Sequence, residues 1–270
     1  MPRKIKKERF YYNQEFLGSP DGRSIRILSE YYGPLQRLMR NNIRDTIVFF
    51  GSARIQSRNI CLEQLRKAKK SKSAIKINRA TANLKTSKYY EDARELASRF
   101  TLWSKKLKTK NHRYIICSGG GPGIMEAANQ GAKEAGGISI GLTISLPNEQ
   151  SGNKWISKDL DLKFHYFFMR KLWFLYLSKA LIVWPGGFGT LDELMELLTL
   201  IQTKKIRKKV PIVLYGRDFW EKVINWDYLV EIGTISKNDL NLFHISDNKK
   251  DTFKYVTSFI KKYQLKGPNF

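Results

Sequence analysis

The stretch Ala180–Gln202, ALIVWPGGFGTLDELMELLTLIQ, decides the fold of this chain. It begins with five apolar residues, Ala180–Trp184, whose β-branched and aromatic side chains are typical of a buried strand. It ends with apolar residues at helical spacing, from Leu191 to Ile201. Between these segments lies Pro185–Thr190, whose three glycines let the backbone turn sharply and approach a ligand closely. The stretch predicts an anion site, because the free N–H groups of the helix point at the loop.

Thr190 and Glu193 have two interpretations within this stretch. Thr-x-x-Glu before an apolar run is a capping box, which satisfies backbone groups at a helix start and requires no ligand. The same residues would also lie at the carboxyl end of a buried strand, where open α/β sheets bind their ligands. We favour a functional carboxylate at Glu193, and the helix cap is the alternative.

Three earlier motifs agree with this stretch in order and spacing. They are FGSAR at Phe50–Arg54, SGGGPGIME at Ser118–Glu126 and FMRK at Phe168–Lys171. Together with PGGFGTLDE at Pro185–Glu193, they resemble the Lonely Guy (LOG) family, whose signature is PGGxGTxxE. Members of that family are nucleoside 5′-monophosphate phosphoribohydrolases, often labelled lysine decarboxylases. The resemblance covers roughly residues 45–224.

The resemblance implies a catalytic pair and a nucleotide site. Glu193 would be the catalytic carboxylate, and Arg170 its partner, which orients the carboxylate or binds the phosphate. Glu126 would contact the ribose or base, or else serve as an acidic partner of its own helix N-terminus. The implied phosphate- and nucleotide-binding residues are Gly51, Ser52, Arg54, Gly120, Gly121, Glu126, Arg170, Lys171, Gly186, Gly187, Gly189 and Thr190.

The resemblance further implies a homodimer or a higher homo-oligomer. The helix predicted at 167–177 is apolar on more than one face, with Trp173, Phe174, Leu175 and Tyr176 consecutive. A helix that is hydrophobic all round is expected to be buried on both sides. We therefore expect this helix to contact a second copy of the chain.

Strand and helix patterns alternate along the chain. This alternation predicts a doubly wound, mostly parallel, Rossmann-like α/β sheet with helices on both faces. We expect residues 1–21 to form a basic N-terminal arm and residues 22–270 a single nucleotide-binding domain. A lysine-rich insertion at about 55–86 interrupts the family pattern, and we expect a surface excursion with short helical pieces. Gly33-Pro34 predicts a kink or a break in the first helix of the chain. The pattern of residues 218–232 predicts a single helix.

Several kinds of site do not fit the sequence. Gly119-x-Gly121-x-x is followed by Ile124 rather than glycine, and no Gly-Lys-Ser/Thr is present, so we expect a mononucleotide site without NAD or another cofactor. The three histidines show no ligand spacing, which predicts no metal. The two cysteines form no redox motif, and no apolar run reaches the ~18 residues of a membrane span. We expect a cytoplasmic protein that has no membrane partner.

The formal net charge of +25 permits another function. Residues 54–88 contain eleven lysines and arginines but one acid, Glu63, which would suit a nucleic acid or another polyanion. A solvated basic face is the interpretation we favour, because no base-reading motif accompanies the charge.

A non-catalytic binding module is the remaining alternative, since related folds carry molybdenum cofactor. The presence of both Arg170 and Glu193 argues against it.

Overall fold

A seven-stranded parallel sheet forms the centre of the computed structural model, which describes residues 9–107, 109, 111–145 and 152–264. The strands are β1 (Thr46–Phe50), β2 (Ile115–Ser118), β3 (Ser139–Ile144), β4 (Asp161–Phe164), β5 (Ser178–Val183), β6 (Ile212–Tyr215) and β7 (His244–Ser246). Their spatial order is β4-β3-β2-β1-β5-β6-β7, and every pairing is parallel. The order reverses between β1 and β5, so the predicted doubly wound α/β fold is confirmed.

Helices connect the strands. They are α1 (Gln14–Gly18), α2 (Arg23–Arg40), α3 (Arg58–Lys70), α4 (Ala74–Lys106), α5 (Ile124–Glu134), α6 (Phe167–Tyr176), α7 (Phe188–Gln202), α8 (Arg217–Val223), α9 (Trp226–Glu231) and α10 (Lys249–Tyr263). Short 3-10 helices lie at Phe10–Tyr12, Lys158–Leu160 and Lys237–Leu242. Within the described ranges, no helix is long and apolar enough to cross a membrane.

The sheet has an apolar core on each face. Alternate residues of β1 point to opposite faces, as the pleat of a strand requires: Val48 packs into one core, and Phe49 into the other. The Val48 side is covered by α2, α6 and α7, and the Phe49 side by α4, α5 and α10. Both faces of β1 and β5 are therefore buried, which explains their unbroken apolar sequences.

Helix α2 continues through Pro34, where the sequence predicted a kink or a break. A proline has no N–H, so the carbonyl of Glu30, four residues earlier, loses its helical donor. The indole Nε1 of Trp173 in α6 donates to that carbonyl at 3.1 Å. The Glu30 carboxylate also accepts the backbone N–H groups of His165 and Tyr166, at 2.7 and 3.1 Å. Residue Glu30 thus fixes the start of α6 against α2.

The lysine-rich insertion is more regular than its pattern predicted. It forms α3 and the first half of α4, which runs unbroken for 33 residues. Within the insertion, the two helices bury the small side chains of Cys61, Ala68 and Ala80 rather than a periodic apolar stripe. The backbone N–H of Arg58 donates to the carboxylate of Glu91 at 2.9 Å, which joins the start of α3 to α4. Tertiary packing therefore specifies this hairpin, and hydrophobic periodicity could not reveal it.

Two other segments differ from, or lie beyond, the sequence predictions. The single helix predicted at 218–232 is wrong: α8 ends at Val223, and α9 begins at Trp226 after Asn225, whose side chain accepts the N–H of Tyr228 at 3.0 Å. Residues 1–8 of the predicted arm lie outside the described residues. The rest of that arm contains the 3-10 helix at Phe10–Tyr12 and α1.

Candidate active site

A cavity of about 850 Å³ opens at the carboxyl ends of the strands, where β1 and β5 lie side by side. This is the position at which a doubly wound sheet leaves a crevice, because the connections from the two strands diverge to opposite sides. Its walls combine the loops after β1, β2 and β5 with residues of β3, β4, α6 and α7. The cavity therefore brings together all four motifs that the sequence singled out.

Most of the predicted site residues line this cavity. They are Gly51, Ser52, Arg54, Gly120, Gly121, Arg170, Gly187, Gly189, Thr190 and Glu193. The two glycine-rich loops and the catalytic pair predicted from the resemblance thus face one shared space, although they are separated by up to about 140 residues in sequence.

Three predicted residues lie outside the cavity wall. Glu126 is in the first turn of α5, a position that suits a partner of the helix N-terminus. Lys171 links α6 to α7 through ion pairs of 2.7 Å with Asp192 and 2.9 Å with Glu196. Gly186 makes room for Thr190, because a Cβ on Gly186 would lie 2.1 Å from the Thr190 hydroxyl.

Ser52 joins the loops to one another. Its N–H donates to the carbonyl of Pro185 at 3.1 Å, and its carbonyl accepts the N–H of Ile124 at 3.1 Å. Gly123 approaches the same carbonyl so closely that a Cβ would lie 2.3 Å from it, and its φ of +71° is unfavourable for any other residue. The loop after β1 is therefore hydrogen-bonded on both sides, to the loop after β5 and to the start of α5.

A buried amide network holds the loop after β2, and sequence reasoning did not find it. Asn153 donates through its side chain to the carbonyls of Gly120 and Gly121, at 3.0 and 3.1 Å. It also donates to the side chain of Asn129 at 3.0 Å, and Asn129 accepts the hydroxyl of Ser118 at 2.7 Å. An asparagine in a loop carries no pattern that points to such a role, so only the tertiary structure reveals it.

Helix α7 begins at Phe188, which excludes the capping-box interpretation of Thr190 and Glu193. Gly187 is the N-cap residue, and no side chain caps the helix. Thr190 is instead the third helical residue, and its N–H donates to the carbonyl of Gly187 at 3.0 Å. The N–H groups of Phe188 and Gly189 belong to the first turn, so no carbonyl of the helix accepts them. They lie at the cavity wall, where they suit an anion.

Arg170 and Glu193 lie together on the side of the cavity formed by α6 and α7. Their closest atoms, Nη2 and Oε1, are 3.9 Å apart, which is an ion-pair distance and longer than a hydrogen bond. The Arg170 guanidinium lies over the rings of Phe167 and Phe174, at 5.1 and 5.6 Å from their centroids. The Glu193 side chain is only 6% exposed. The aromatic rings position the cation beside a nearly buried carboxylate.

Burial raises the pKa of Glu193 to about 7. Loss of water disfavours the charged form, while the positive charges of Arg170 and Lys171 oppose the rise. A carboxyl group with such a pKa is present in both protonation states near neutral pH, which suits a group that transfers a proton. A strongly shifted carboxyl group in a cleft is also a general sign of a functional site.

Residues of β3 and β4 complete the cavity, and the sequence did not single them out. Thr143 donates its hydroxyl to Asp161 at 2.8 Å, and Lys163 lies two residues beyond Asp161. Phe167 and Phe174 add apolar surface of the kind that receives a planar base. None of these residues belongs to a glycine-rich motif.

In the parts of the chain that the structure describes, no group of three His, Cys, Asp or Glu side chains could hold a metal ion.

A family model described as "Possible lysine decarboxylase" matches residues 125–256 of this chain. The matched part includes α6 and α7, and therefore both members of the Arg170–Glu193 pair. The loop after β1 and the glycine-rich loop after β2 precede it.

Curated relatives carry more specific names. A probable cytokinin riboside 5′-monophosphate phosphoribohydrolase of Oryza sativa subsp. japonica is 26% identical over 145 residues, which are 53% of this chain and 62% of that protein. A cytokinin riboside 5′-monophosphate phosphoribohydrolase of Arabidopsis thaliana is 26% identical over 56% of this chain and 70% of its own length. The match thus spans less than two thirds of the first relative.

Among solved structures, a molybdenum cofactor carrier protein of Chlamydomonas reinhardtii aligns with a TM-score of 0.42. It is 17% identical, and the alignment covers 81% of this chain and 99% of that chain. A likeness of this size carries no weight for the function of the present protein.

Proposed function

The resemblance to the LOG family is confirmed by the family model and the curated relatives, and from it we propose that this protein is a nucleoside 5′-monophosphate phosphoribohydrolase. The proposed reaction converts AMP or a cytokinin riboside 5′-monophosphate and water into the free base and ribose 5-phosphate. The observation that carries the proposal is the buried Glu193 carboxyl group beside Arg170, in a cavity that also contains two glycine-rich loops.

The glycine-rich loops would bind the 5′-phosphate. The N–H groups at the start of α7 are available to an anion, and the positive end of the helix dipole favours negative charge there. Gly187 and Gly189 have no atom within 4 Å of the position of a Cβ, so a phosphate can approach their backbone. Binding the phosphate supplies energy remote from the reacting carbon and positions C1′.

Glu193 would act on the ribose. Cleavage of the N-glycosidic bond gives C1′ oxocarbenium character, which a nearby carboxylate stabilises. Water then attacks C1′ and gives a proton to a side chain that acts as general base. The departing nucleobase gains a proton. A carboxyl group with a pKa of about 7 is suited to accept the proton from water and to return it. We assign both the charge stabilisation and the proton transfer to Glu193.

Arg170 would keep Glu193 in its reactive position and protonation state. Its positive charge lowers the pKa of Glu193, against the effect of burial. At 3.9 Å it acts mainly as a charge, and a guanidinium at the cavity wall is suited to a phosphate oxygen. Arg170 therefore serves both the carboxylate and the nucleotide in this proposal.

Single-turnover release of adenine from AMP tests the assignment. Glu193→Gln should lower the rate by about 100-fold or more, since the amide neither carries charge nor accepts a proton. AMP binding, measured by calorimetry, should survive because the phosphate loops are unchanged. The matched control is Glu196→Gln on the same helix, where Glu196 pairs with Lys171 and does not line the cavity; its rate should stay within about threefold of wild type.

Two outcomes would contradict the proposal. Equal rates for wild type and Glu193→Gln would remove Glu193 from the chemistry. Tight binding of AMP without release of base, by the wild-type protein and across a panel of nucleoside monophosphates, would instead identify a non-catalytic binding protein. The calorimetric measurement separates this second case from a protein that does not recognise nucleotides.

We propose further that the protein acts as a homodimer in the cytoplasm. Trp173, Phe174 and Leu175 are buried within the chain's own core, so they do not indicate a partner. Phe168 and Leu172 lie four residues apart on α6 and are 50% and 39% exposed. An exposed apolar helix face of this kind supports association with a second copy. Light scattering at micromolar concentration should give the mass of a dimer, and a monomer would contradict this proposal.

A further inference from the structure

A second cavity, of about 740 Å³, lies between α3 and α4, the helices of the lysine-rich insertion. We call it the insertion cleft. Its lining is polar and basic: Arg54, Lys67, Lys76 and Arg79 provide positive charge, and Gln56, Gln64, Ser71 and Asn83 provide hydrogen-bonding groups. No aspartate or glutamate is among the described residues that line it. The net charge of its wall is therefore strongly positive.

The charges of the insertion cleft are mostly not neutralised by the protein. Lys67 forms an ion pair of 2.6 Å with Glu63, which is exposed on α3. Within the described part of the chain, no carboxylate lies within ion-pair distance of Arg54, Lys76 or Arg79. Cations held together without counter-charges repel one another, and a bound anion would remove that cost.

The insertion cleft is formed by packed elements. Ala68 and Ala80 are buried where α3 and α4 meet, and small side chains there allow the helices to approach closely. The side-chain amide of Gln64 donates to that of Gln56 at 2.6 Å, which links α3 to the segment before it. Lys67 is on α3, Lys76 and Arg79 are on α4, and Arg54 is in the loop after β1, so three elements contribute basic side chains to the cleft.

The insertion cleft adjoins the cavity at the carboxyl ends of the strands, which we call the nucleotide cavity or main cavity. Ala53 and Arg54, in the loop after β1, line both spaces. Arg54 is exposed between them, and its backbone N–H donates to the Ser52 hydroxyl at 3.0 Å, which fixes the loop. A ligand in the nucleotide cavity can therefore extend past Arg54 into the insertion cleft.

We propose that the insertion cleft is a second anion site, which binds a phosphate-bearing group through Arg54, Lys76 and Arg79. Arginine and lysine side chains that line one cleft suit the several oxygens of a phosphate or a short polyphosphate. The group has two sources with the same chemistry. It is either the far phosphate of a nucleotide whose other phosphate occupies the main cavity, or a separate polyphosphate anion. The proposal does not depend on hydrolysis in the main cavity.

Binding measurements with inorganic tripolyphosphate and with the 5′-phosphorylated dinucleotide pApA test the site. The cleft variant is Lys76→Gln with Arg79→Gln, and the control is Lys69→Gln with Lys70→Gln. Lys69 and Lys70 are exposed on α3 and do not line the cleft. Both variants lose two positive charges from the insertion, so a general effect of net charge is the same in each. Affinities are measured by calorimetry at 150 mM salt, and thermal unfolding checks that both variants fold.

We expect at least one probe to bind wild type and to lose tenfold or more in affinity in the cleft variant, with the control within about twofold of wild type. A separate anion site predicts that tripolyphosphate and AMP bind together, each without displacing the other. An extended ligand predicts that pApA binds more tightly than AMP and that the cleft variant removes this gain. AMP binding and base release should be unchanged in the cleft variant, so a failure of the proposed reaction would leave this test valid.

Two results would overturn the proposal. One is that neither probe loses affinity in the folded cleft variant. The other is that both variants lose affinity equally. The charge of the insertion would then act as a diffuse face rather than as a site.

Discussion

The two ends of the parallel sheet both contain nearly buried charges, but they hold them differently. At the amino end, the fully buried Asp45 carboxylate bonds to the guanidinium Nε of Arg113, and Lys179 lies 3.7 Å away. At the carboxyl end, Arg170 and Glu193 are 3.9 Å apart and face the cavity. One set of charges is enclosed by the protein, and the other is open to a ligand.

Lys208 shows the same enclosure at the amino end. Its ammonium donates to the carbonyl oxygens of Leu175, Tyr176 and Ser178, where α6 ends and β5 begins. Burial lowers its pKa to about 8, yet its acceptors are three backbone carbonyls and the Ser178 hydroxyl, all of them parts of the protein. A shifted pKa therefore indicates function only together with access to a ligand, and this distinguishes Glu193 from Lys208.

Asp45→Asn should produce the largest change, at the amino end. It removes the negative charge that faces the buried Arg113 and Lys179, and removing one partner of such a cluster costs about 3–5 kcal/mol. Urea denaturation should show this loss in the free energy of unfolding. Asp192→Asn is the control, because the Asp192 side chain is 55% exposed and its ion pair is expected to contribute less than about 1 kcal/mol. A loss below 1 kcal/mol for Asp45→Asn would contradict a structural role.

Glu193→Gln should have the opposite effect on stability. The carboxyl group has a pKa of about 7 in the folded protein and 4.5 as an unperturbed group, so its ionisation disfavours the folded state. Wild type and variant should be equally stable below about pH 4.5. The variant should become the more stable between about pH 4.5 and 7, by up to about 3 kcal/mol above pH 7. A gap that does not change with pH would contradict the raised pKa.

Arg170→Ala should lower the rate of base release by about tenfold or more. Arg170 lowers the pKa of Glu193, so its removal should raise that pKa and move the pH dependence of single-turnover rates to higher pH. Arg170→Lys retains the charge and should keep the pH profile near that of wild type, although nucleotide binding weakens because lysine lacks the forked donors. Identical pH profiles for Arg170→Ala and wild type would contradict the proposal that Arg170 lowers the pKa of the catalytic carboxyl group.

Gly189→Ala should have the smallest effect on the fold and should separate folding from binding. A Cβ at this position meets no atom within 4 Å, and alanine favours the helix, so we expect a gain of about 0.5 kcal/mol. AMP should nevertheless bind more weakly, because the methyl group occupies space beside the free N–H groups. Gly186→Ala is the contrasting variant, since its Cβ would collide with Thr190 and destabilise the protein. Unchanged AMP affinity in Gly189→Ala would remove this loop from the binding site.

Sequence reasoning recovers the parts of this fold that local pattern specifies. The apolar run at 180–184 overlaps β5, and the glycine-rich loop that follows it meets the loops after β1 and β2 at the crevice. The hairpin of α3 and α4 was missed, because buried alanines at a helix crossing give no apolar periodicity. The break at Asn225 was missed for a similar reason, since one capping side chain is a weak signal.

The same distinction applies to the site. Glu193 and Arg170 lie within motifs, and the structure places both on the cavity. Asp161 and Asn153 lie outside any motif. They enter the site only because β4 and the loop before it fold beside β3 and the loop after β2. The pKa of Glu193 likewise depends on burial by neighbours distant in sequence, which a motif does not describe.

The contacts of Glu30 have a consequence for the order in which the chain acquires its structure. Glu30 precedes its partners His165 and Trp173 by 135 and 143 residues, so α2 must remain without these contacts until α6 has been synthesised. Contacts that join such distant parts of a chain form late and slow folding, because a long loop must close first. The helix that presents Arg170 therefore cannot reach its final place through local contacts alone. A nascent chain that ends before α7 also cannot contain a working site, because it lacks Glu193.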